Sequence, residues 1–259
     1  MQNKSSTKLA ALLFDVDGTL ADTEREAHLP AFNLAFAEFG LDWHWDAVLY
    51  GDLLRVTGGK ERLRHYVQRF HPDHQLPDDF LASLHQAKTK HYNTMLEQGK
   101  IPLRRGVKRL LLEAKNAGLR LAIVTTTSPE NVLSLLRHSL AEDAHTWFEV
   151  IAAGDVVPKK KPAPDIYLWA LKELKLDAEQ CLAFEDSENG LKSALGAGIK
   201  TIITSNDYSA DHDFTGATVV LSDLGEPDAP FTVIAGDCVG ESYVSVGFCR
   251  SAALDTIAH

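Results

Sequence analysis

The sequence predicts an α/β fold: a doubly wound, Rossmann-like parallel sheet carrying an inserted all-helical domain. Three observations predict it. Short apolar runs of strand length alternate with amphipathic segments over most of the 259 residues. The runs are apolar throughout, as strands covered by helices on both faces require. One stretch, from Asp22 to about Gly99, breaks the alternation and shows helical periodicity alone.

The strand-like runs are 9–16, 119–126, 149–153, 180–184, 200–204 and 217–221, and the segments 106–117, 129–140, 164–174 and 189–196 read as helices between them. Pro164 suits the first helical position, where an N–H would have no partner anyway. Ile166, Trp169, Ala170 and Leu174 then form one apolar face. In the inserted stretch, Ala31, Leu34, Ala35 and Phe39 make one stripe, with Leu81, Leu84 and His85 part of another. Trp43 and Trp45 read as the core of that helical domain, and Cys181, inside a strand run, as packed core.

This divides the chain into a core of 1–21 and 99–259 and a helical cap of 22–98. A cap inserted there can close over the carboxyl ends of the strands, where open α/β sheets bind ligands. The segment 233–259 is left unassigned. Its Tyr243-Val244-Ser245-Val246 alternates like a strand, leaving open an extra edge strand, a contact between copies or a disordered tail.

Composition narrows the function. At 45% hydrophobic and 24% charged residues, the chain can bury one sizeable core, or a core plus a smaller domain. A formal net charge of −10 speaks against general affinity for nucleic acid or an anionic membrane. It would also repel a phosphorylated ligand at long range, so any anion site must be built from local cations and backbone amides. The three cysteines, Cys181, Cys238 and Cys249, form no CxxC pair and no disulfide framework, which suits a reducing cytoplasm. The first apolar run ends at Asp15, far short of a signal segment or a span. The expectation is a soluble, cytoplasmic, monomeric protein.

Four motifs carry chemistry, each with a plainer alternative. Phe14-Asp15-Val16-Asp17-Gly18-Thr19 puts two carboxylates at a strand end, with Gly18 permitting the turn that brings them together; a helix cap or solvated turn is the alternative. Thr125-Thr126-Thr127-Ser128 offers hydroxyls and amides for phosphoryl oxygens, or simple helix capping. Lys159-Lys160-Lys161-Pro162 is a solvated lysine run, except that Pro162 restricts the backbone of Lys161. Phe184-Glu185-Asp186-Ser187 is another helix cap, or a pair of oxygen ligands for a hard divalent cation.

Taken together, the motifs sit at strand ends of one sheet in the order aspartates, hydroxyl, lysine, acidic pair. That order resembles the haloacid dehalogenase superfamily over Leu12 to about Leu221, with the helical insertion at the position of that family's type 1 cap. The resemblance implies an enzyme with Asp15 as nucleophile, a phospho-aspartate intermediate and a Mg²⁺ ion. It implies metal ligands at Asp15, at a backbone carbonyl of Val16 or Asp17, and at Glu185 and Asp186. It further implies Lys161 offsetting negative charge, Thr125 and the Thr126 amide on a phosphoryl oxygen, and Asp17 as general acid and base.

Within the superfamily, Asp22 to His28, Gly40 to Asp46, Leu53 to Arg62 and Lys159 to Tyr167 resemble the CbbY-type xylulose-1,5-bisphosphate phosphatases, in the β-phosphoglucomutase-like subgroup. Thr57-Gly58-Gly59-Lys60-Glu61-Arg62 is the most distinctive piece. This implies removal of a Rubisco-inhibiting by-product, and a link to the Calvin cycle. A bisphosphate needs a second anion site, for which Arg55 and Lys60 are the candidates. Arg62 is a third, or with Glu61 begins an exposed helix. Glu24 and His28, four residues apart, can share a helix face and bind sugar hydroxyls; a surface or interface role is the alternative for His28. His65, His85 and His91 show no metal-ligand spacing and are assigned nothing.

The rivals are β-phosphoglucomutase, phosphoglycolate phosphatase and a catalytically silent binding protein on the same fold. A mutase's hinge histidine would fall near Ala27 without gaps, and its cap loop lacks the double glycine, which favours a phosphatase. A two-carbon substrate needs no second phosphate grip. A silent protein would be expected to have lost Asp15, Asp17 or the acidic pair.

Overall fold

A computed structural model describes residues 8–72, 76–99, 101–238 and 240–254. The first strand, β1 (Ala11–Phe14), is buried on both faces: Leu12 and Phe14 enter one apolar cluster, Ala11 and Leu13 another. β2 (Arg120–Val124) divides its residues in the same way, and after β3 (Val150–Ala152) so does β4 (Cys181–Glu185). This two-sided burial explains the unbroken apolar runs. With β5 (Lys200–Thr204), β6 (Val219–Leu221) and β7 (Val233–Ala235) the strands form a seven-stranded sheet of order β3-β2-β1-β4-β5-β6-β7. Every pairing is parallel except β6 with β7. The order reverses beside β1, and this opens a crevice at the carboxyl ends of β1 and β4.

Between β1 and β2 the chain forms α1 (Leu29–Glu38), α2 (Ala47–Leu53), α3 (Gly59–Phe70) and α4 (Asp78–Glu97), with no strand of the sheet among the described residues there. These helices share an apolar cluster of their own, built on Phe32, Phe36, Trp43, Trp45, Tyr50 and Tyr66. Trp45 is its centre, with ring centroids 4.6 Å from Phe32, 5.0 Å from Phe36 and 5.1 Å from Tyr66. Both tryptophans are therefore core, as their sequence context suggested. The predicted stripe on α1 is corrected: Phe32 and Phe36 face inward with Ala31 and Ala35, whereas Leu34 is exposed.

Helices α5 (Val107–Asn116), α6 (Pro129–Leu135), α7 (Asp165–Leu174) and α8 (Glu188–Gly196) follow, and α9 (Val246–Ala253) closes the described chain. Side chains of α5, α6 and α9 complete the cluster that holds Leu12 and Phe14, whereas α7 and Ala194 of α8 complete the one that holds Ala11 and Leu13. The tail departs from its alternation. The edge strand is β7, antiparallel on β6, and Ser245 instead caps α9 by accepting the Phe248 N–H. A polar side chain just before a helix satisfies an orphan amide there, and this local bond outweighs the alternating pattern. Cys181, Cys238 and Cys249 are all buried free thiols.

Candidate active site

Asp15 follows β1 directly, its N–H bonded to the Phe184 carbonyl of β4 at 3.0 Å. The chain then turns at Gly18, whose φ of +80° only glycine adopts without strain. A Cβ there would collide with Asp186, and the turn can lie against that carboxylate only because none is present. Arg104, in the loop that returns from the helical segment, donates to the carbonyls of Gly18, Thr204, Ser205 and Ser222. One guanidinium thus joins the Asp15–Asp17 turn to the ends of β5 and β6.

Lys161 reaches the same point from the loop before α7. Its Nζ donates to Asp15 Oδ1 at 2.7 Å, Glu185 Oε1 at 2.6 Å and the Val124 carbonyl at 2.8 Å. The lysine run therefore divides: Lys161 is buried between two carboxylates, while Lys160 pairs with Asp155 and Glu61 at 3.2 and 3.8 Å. The capping alternatives divide too. Ser128 caps α6 and Ser187 caps α8, leaving Thr125, Thr126, Glu185 and Asp186 to line the cavity.

Carboxylate oxygens of Asp15, Glu185 and Asp186 lie within 4.8 Å of one another. Tyr167 donates to Glu185 Oε1 at 2.5 Å and Asn206 to Asp186 Oδ2 at 2.7 Å. Glu185 Oε2, however, is buried without a partner. Burial pushes Asp15 up to about 7, Lys161 pulling it back and Glu185 and Asp17 adding to the rise. Burial and then Asp15 push Asp186 well up. Three crowded, desolvated carboxylates with an orphaned oxygen fit a hard divalent cation, whose charge would return them to the ionised form. The Val16 carbonyl does not suit the set, since it already accepts the Leu20 N–H at 2.9 Å and the Thr19 N–H at 3.2 Å. Of the two carbonyls the sequence offered, that leaves Asp17.

Asp17 faces the other way. Its Oδ1 accepts from Thr23 Oγ1 at 2.5 Å and from His28 Nε2 at 3.0 Å. Burial alone would raise its pKa, but His28 and Thr23 outweigh this and bring it down to about 2. The Nδ1 of His28 takes a hydrogen bond from the Lys88 ammonium at 2.5 Å, and Tyr92 stacks on the ring at 4.4 Å. With both nitrogens engaged, His28 lies against Asp17, in the wall of a cavity that Lys88 also lines. Sequence spacing without gaps put a mutase's hinge histidine near Ala27. The turn over Glu24–His28 is π-helical, and its extra residue brings His28 round instead.

Two cavities meet at this wall, sharing Asp17, Glu24, Gly58, Arg62 and Thr126. One, of 210 Å³, holds Asp15, Thr125, Lys161, Glu185 and Asp186. The other, of 420 Å³, is lined by Lys60, Lys88 and Lys160 with His85, and also by the acidic Glu61, Glu130 and Asp155. Lys60 thus stands in the second cavity and Arg55 on the rim of the first, with Asp211 3.7 Å away. Arg62 does not begin an exposed face: it is buried, donating to Tyr50 Oη at 3.0 Å, with Glu24 3.8 Å away. Glu24 accepts from Tyr50 and lines both cavities. Burial, with Lys88 and Lys60 next, drives His85 down to about 3, so it stands neutral among the cations.

Sequence reasoning missed Lys88, Asn206, Arg104 and Tyr167 as parts of this site. Lys88 and Asn206 carry no local signal, because each acts only on a side chain brought close by the fold.

Comparison with known proteins places the chain. Residues 12–204 match the family model for haloacid dehalogenase-like hydrolases. The plasmid-borne protein CbbY of Cupriavidus necator is 51% identical over 225 residues, covering 86% of this chain and 88% of that one. A crystal structure of a CbbY variant from Rhodobacter sphaeroides, in complex with xylulose-(1,5)bisphosphate, is 45% identical with a TM-score of 0.77, covering 83% of this chain and 94% of that one. β-Phosphoglucomutase from Clostridium difficile shares the fold at 20% identity and a TM-score of 0.68, over 82% of this chain and 90% of that one.

Proposed function

The chain belongs to the haloacid dehalogenase-like hydrolases, as an enzyme of their phosphatase type, and from that premise we propose that it dephosphorylates xylulose 1,5-bisphosphate with Asp15 as nucleophile. One observation carries the proposal: a small cavity holding the Asp15–Lys161 pair opens onto a larger one lined by Lys60, Lys88 and Lys160. A substrate with a phosphate at each end fits that arrangement, and the lysines supply local attraction against the net charge of −10. The helical segment 22–98 acts as a cap over the core 1–21 and 99–259. It supplies Lys60 and Lys88, and Glu24 to meet sugar hydroxyls. Arg55, on the rim, assists entry.

In the first half-reaction an Asp15 carboxylate oxygen attacks phosphorus in line, and the bond from phosphorus to the sugar oxygen breaks. Thr125 and Thr126 hold the phosphoryl oxygens, and Lys161 offsets the charge gathering between nucleophile and phosphate. A Mg²⁺ ion held by Asp15, Glu185, Asp186 and the Asp17 carbonyl would neutralise that charge further and orient the phosphoryl group. Asp17 delivers a proton to the departing oxygen. At rest it is ionised by His28 and Thr23; arriving phosphate charge raises its proton affinity, and it takes up this proton from solvent before the bond to the sugar oxygen breaks. In the second half-reaction Asp17 takes a proton from water, whose oxygen attacks the phospho-aspartate and frees Asp15. The enzyme acts in the cytoplasm as a monomer, removing a Rubisco inhibitor.

One observation favours a second reading, β-phosphoglucomutase: with His28 on Asp17, the spacing at Ala27 no longer counts against a mutase. The test compares kcat/KM with Mg²⁺ for xylulose 1,5-bisphosphate, ribulose 1,5-bisphosphate, β-glucose 1-phosphate and phosphoglycolate. A large preference for the first is expected. Conversion of glucose 1-phosphate to its 6-phosphate would keep the Asp15 chemistry and replace the substrate; a flat profile would discard the bisphosphate.

A further inference from the structure

The loop after β5 touches both the acid cluster and the helical segment. At one end, Asn206 donates Nδ2 to Asp186 Oδ2 at 2.7 Å. At the other, the Tyr208 ring packs against the cluster of the helices. It lies 5.9 Å from the Tyr50 ring at 78°, and its Cδ1 is 3.3 Å from where a Cβ on Gly51 would stand. Between these ends the loop is tied to itself. Asn206 Oδ1 accepts the Tyr208 N–H at 2.9 Å, the Asn206 N–H donates to Ser209 Oγ at 3.0 Å, and Ser209 is buried. Both ends of the Asn206 amide are therefore taken, and the Tyr208 backbone determines which way Nδ2 points. The ion pairs Arg25–Asp207 and Arg55–Asp211 join the same loop to the helical side, but they are exposed and weak.

We infer that residues 206–209 form a strap through which the seating of the helical segment orients Asp186, with Asn206 and Tyr208 as positioning residues. Moving Tyr208 off Gly51 and Tyr50 carries its N–H away from Asn206 Oδ1. The amide is then free to turn, and Asp186 Oδ2 loses the donor that holds it beside Asp15 and Glu185. Seating the cap and binding a cation at the acid cluster are consequently coupled, and by linkage each favours the other to the same degree. The inference rests on the acid cluster's reading as a Mg²⁺ site.

The test is calorimetric titration of the full chain with Mg²⁺ in the absence of substrate. Tyr208→Phe should bind like wild type, because the Tyr208 hydroxyl has no hydrogen-bond partner. Tyr208→Ala and Asn206→Ala should each weaken binding by about tenfold, and the double variant by little more than either, as members of one linkage do. Should Tyr208→Ala fail to fold, Gly51→Val displaces the same ring from the helical side and should also weaken Mg²⁺ binding. Unchanged affinity in folded Tyr208→Ala or Gly51→Val, or losses that simply multiply, would overturn the strap and leave the metal reading standing. No Mg²⁺ binding by wild type would end the metal reading and the strap with it.

Discussion

The Nζ of Lys161 lies 2.7 Å from Oδ1 of Asp15, although 146 positions separate the two in the chain. Both side chains are buried, and the same ammonium also holds Glu185. The contact stations a cation beside the proposed nucleophile before any phosphate arrives. Asp15→Asn keeps the shape and an oxygen to accept from Lys161, but it turns the second carboxylate oxygen into an NH2 donor and removes the attacking anion. Turnover should fall by a factor on the order of 10⁴ or more, with an unchanged far-ultraviolet circular dichroism spectrum. Activity retained at a tenth of wild type would remove Asp15 from its role.

Lys161→Met tests the ion pair as structure. Methionine fills the volume but leaves Asp15 and Glu185 desolvated without their cation. Breaking a buried pair from one side costs about 3–5 kcal/mol, read as a shift in the urea midpoint. Saturating Mg²⁺ should recover part of the loss, because a cation at the acid cluster would compensate the same carboxylates. An unchanged midpoint without Mg²⁺ would show that the two carboxylates take up protons at no cost.

Lys60→Ala tests the second cavity. Lys60 lines that cavity and not the one holding Asp15. KM for a bisphosphate should rise about tenfold or more, by the loss of one charged contact, while KM for a monophosphate changes little. Equal effects on both would mean that Lys60 does not meet a second phosphate.

The pH dependence of stability tests Lys88. Burial lowers its pKa from 10.5 to about 8 despite the attraction of Glu24 and Asp17. Below pH 8 both folded and unfolded chains hold the proton, and folding carries the full cost of burying the charge. Between pH 8 and 10.5 the unfolded chain still holds the proton that the folded one has released, so this cost fades as pH rises. Relative to Lys88→Met, wild type should therefore gain about 2 kcal/mol between pH 7 and pH 9.5. Urea denaturation of both proteins at the two pH values measures it. A gap that stays constant would mean Lys88 titrates normally.

Much of the fold was legible in the sequence, because the determinants were local. Unbroken apolar runs mark strands buried on both sides, and Asp15, Lys161 and Glu185 stand at strand ends or beside a proline, where short-range pattern reveals them. The misreadings arose where a single turn or a local bond outweighed periodicity. Ser245 capping a helix displaced an alternating pattern, and one extra residue in a π-helical turn set His28 against Asp17 where a gap-free count reached only Ala27.

The sequence by itself determined the parallel sheet, the helical insertion and the four motifs, since apolar period, turn residues and charge order are properties of neighbours along the chain. The tertiary structure alone decided which cations face a cavity. Arg62 was turned inward onto Tyr50, Lys160 was drawn out of a solvated run, and Lys88 was set on His28. It also decided that Asn206 should hold Asp186. A long side chain is directed by whatever the fold brings within about 3 Å of its tip, and partners separated by tens of residues leave no periodic trace in the chain.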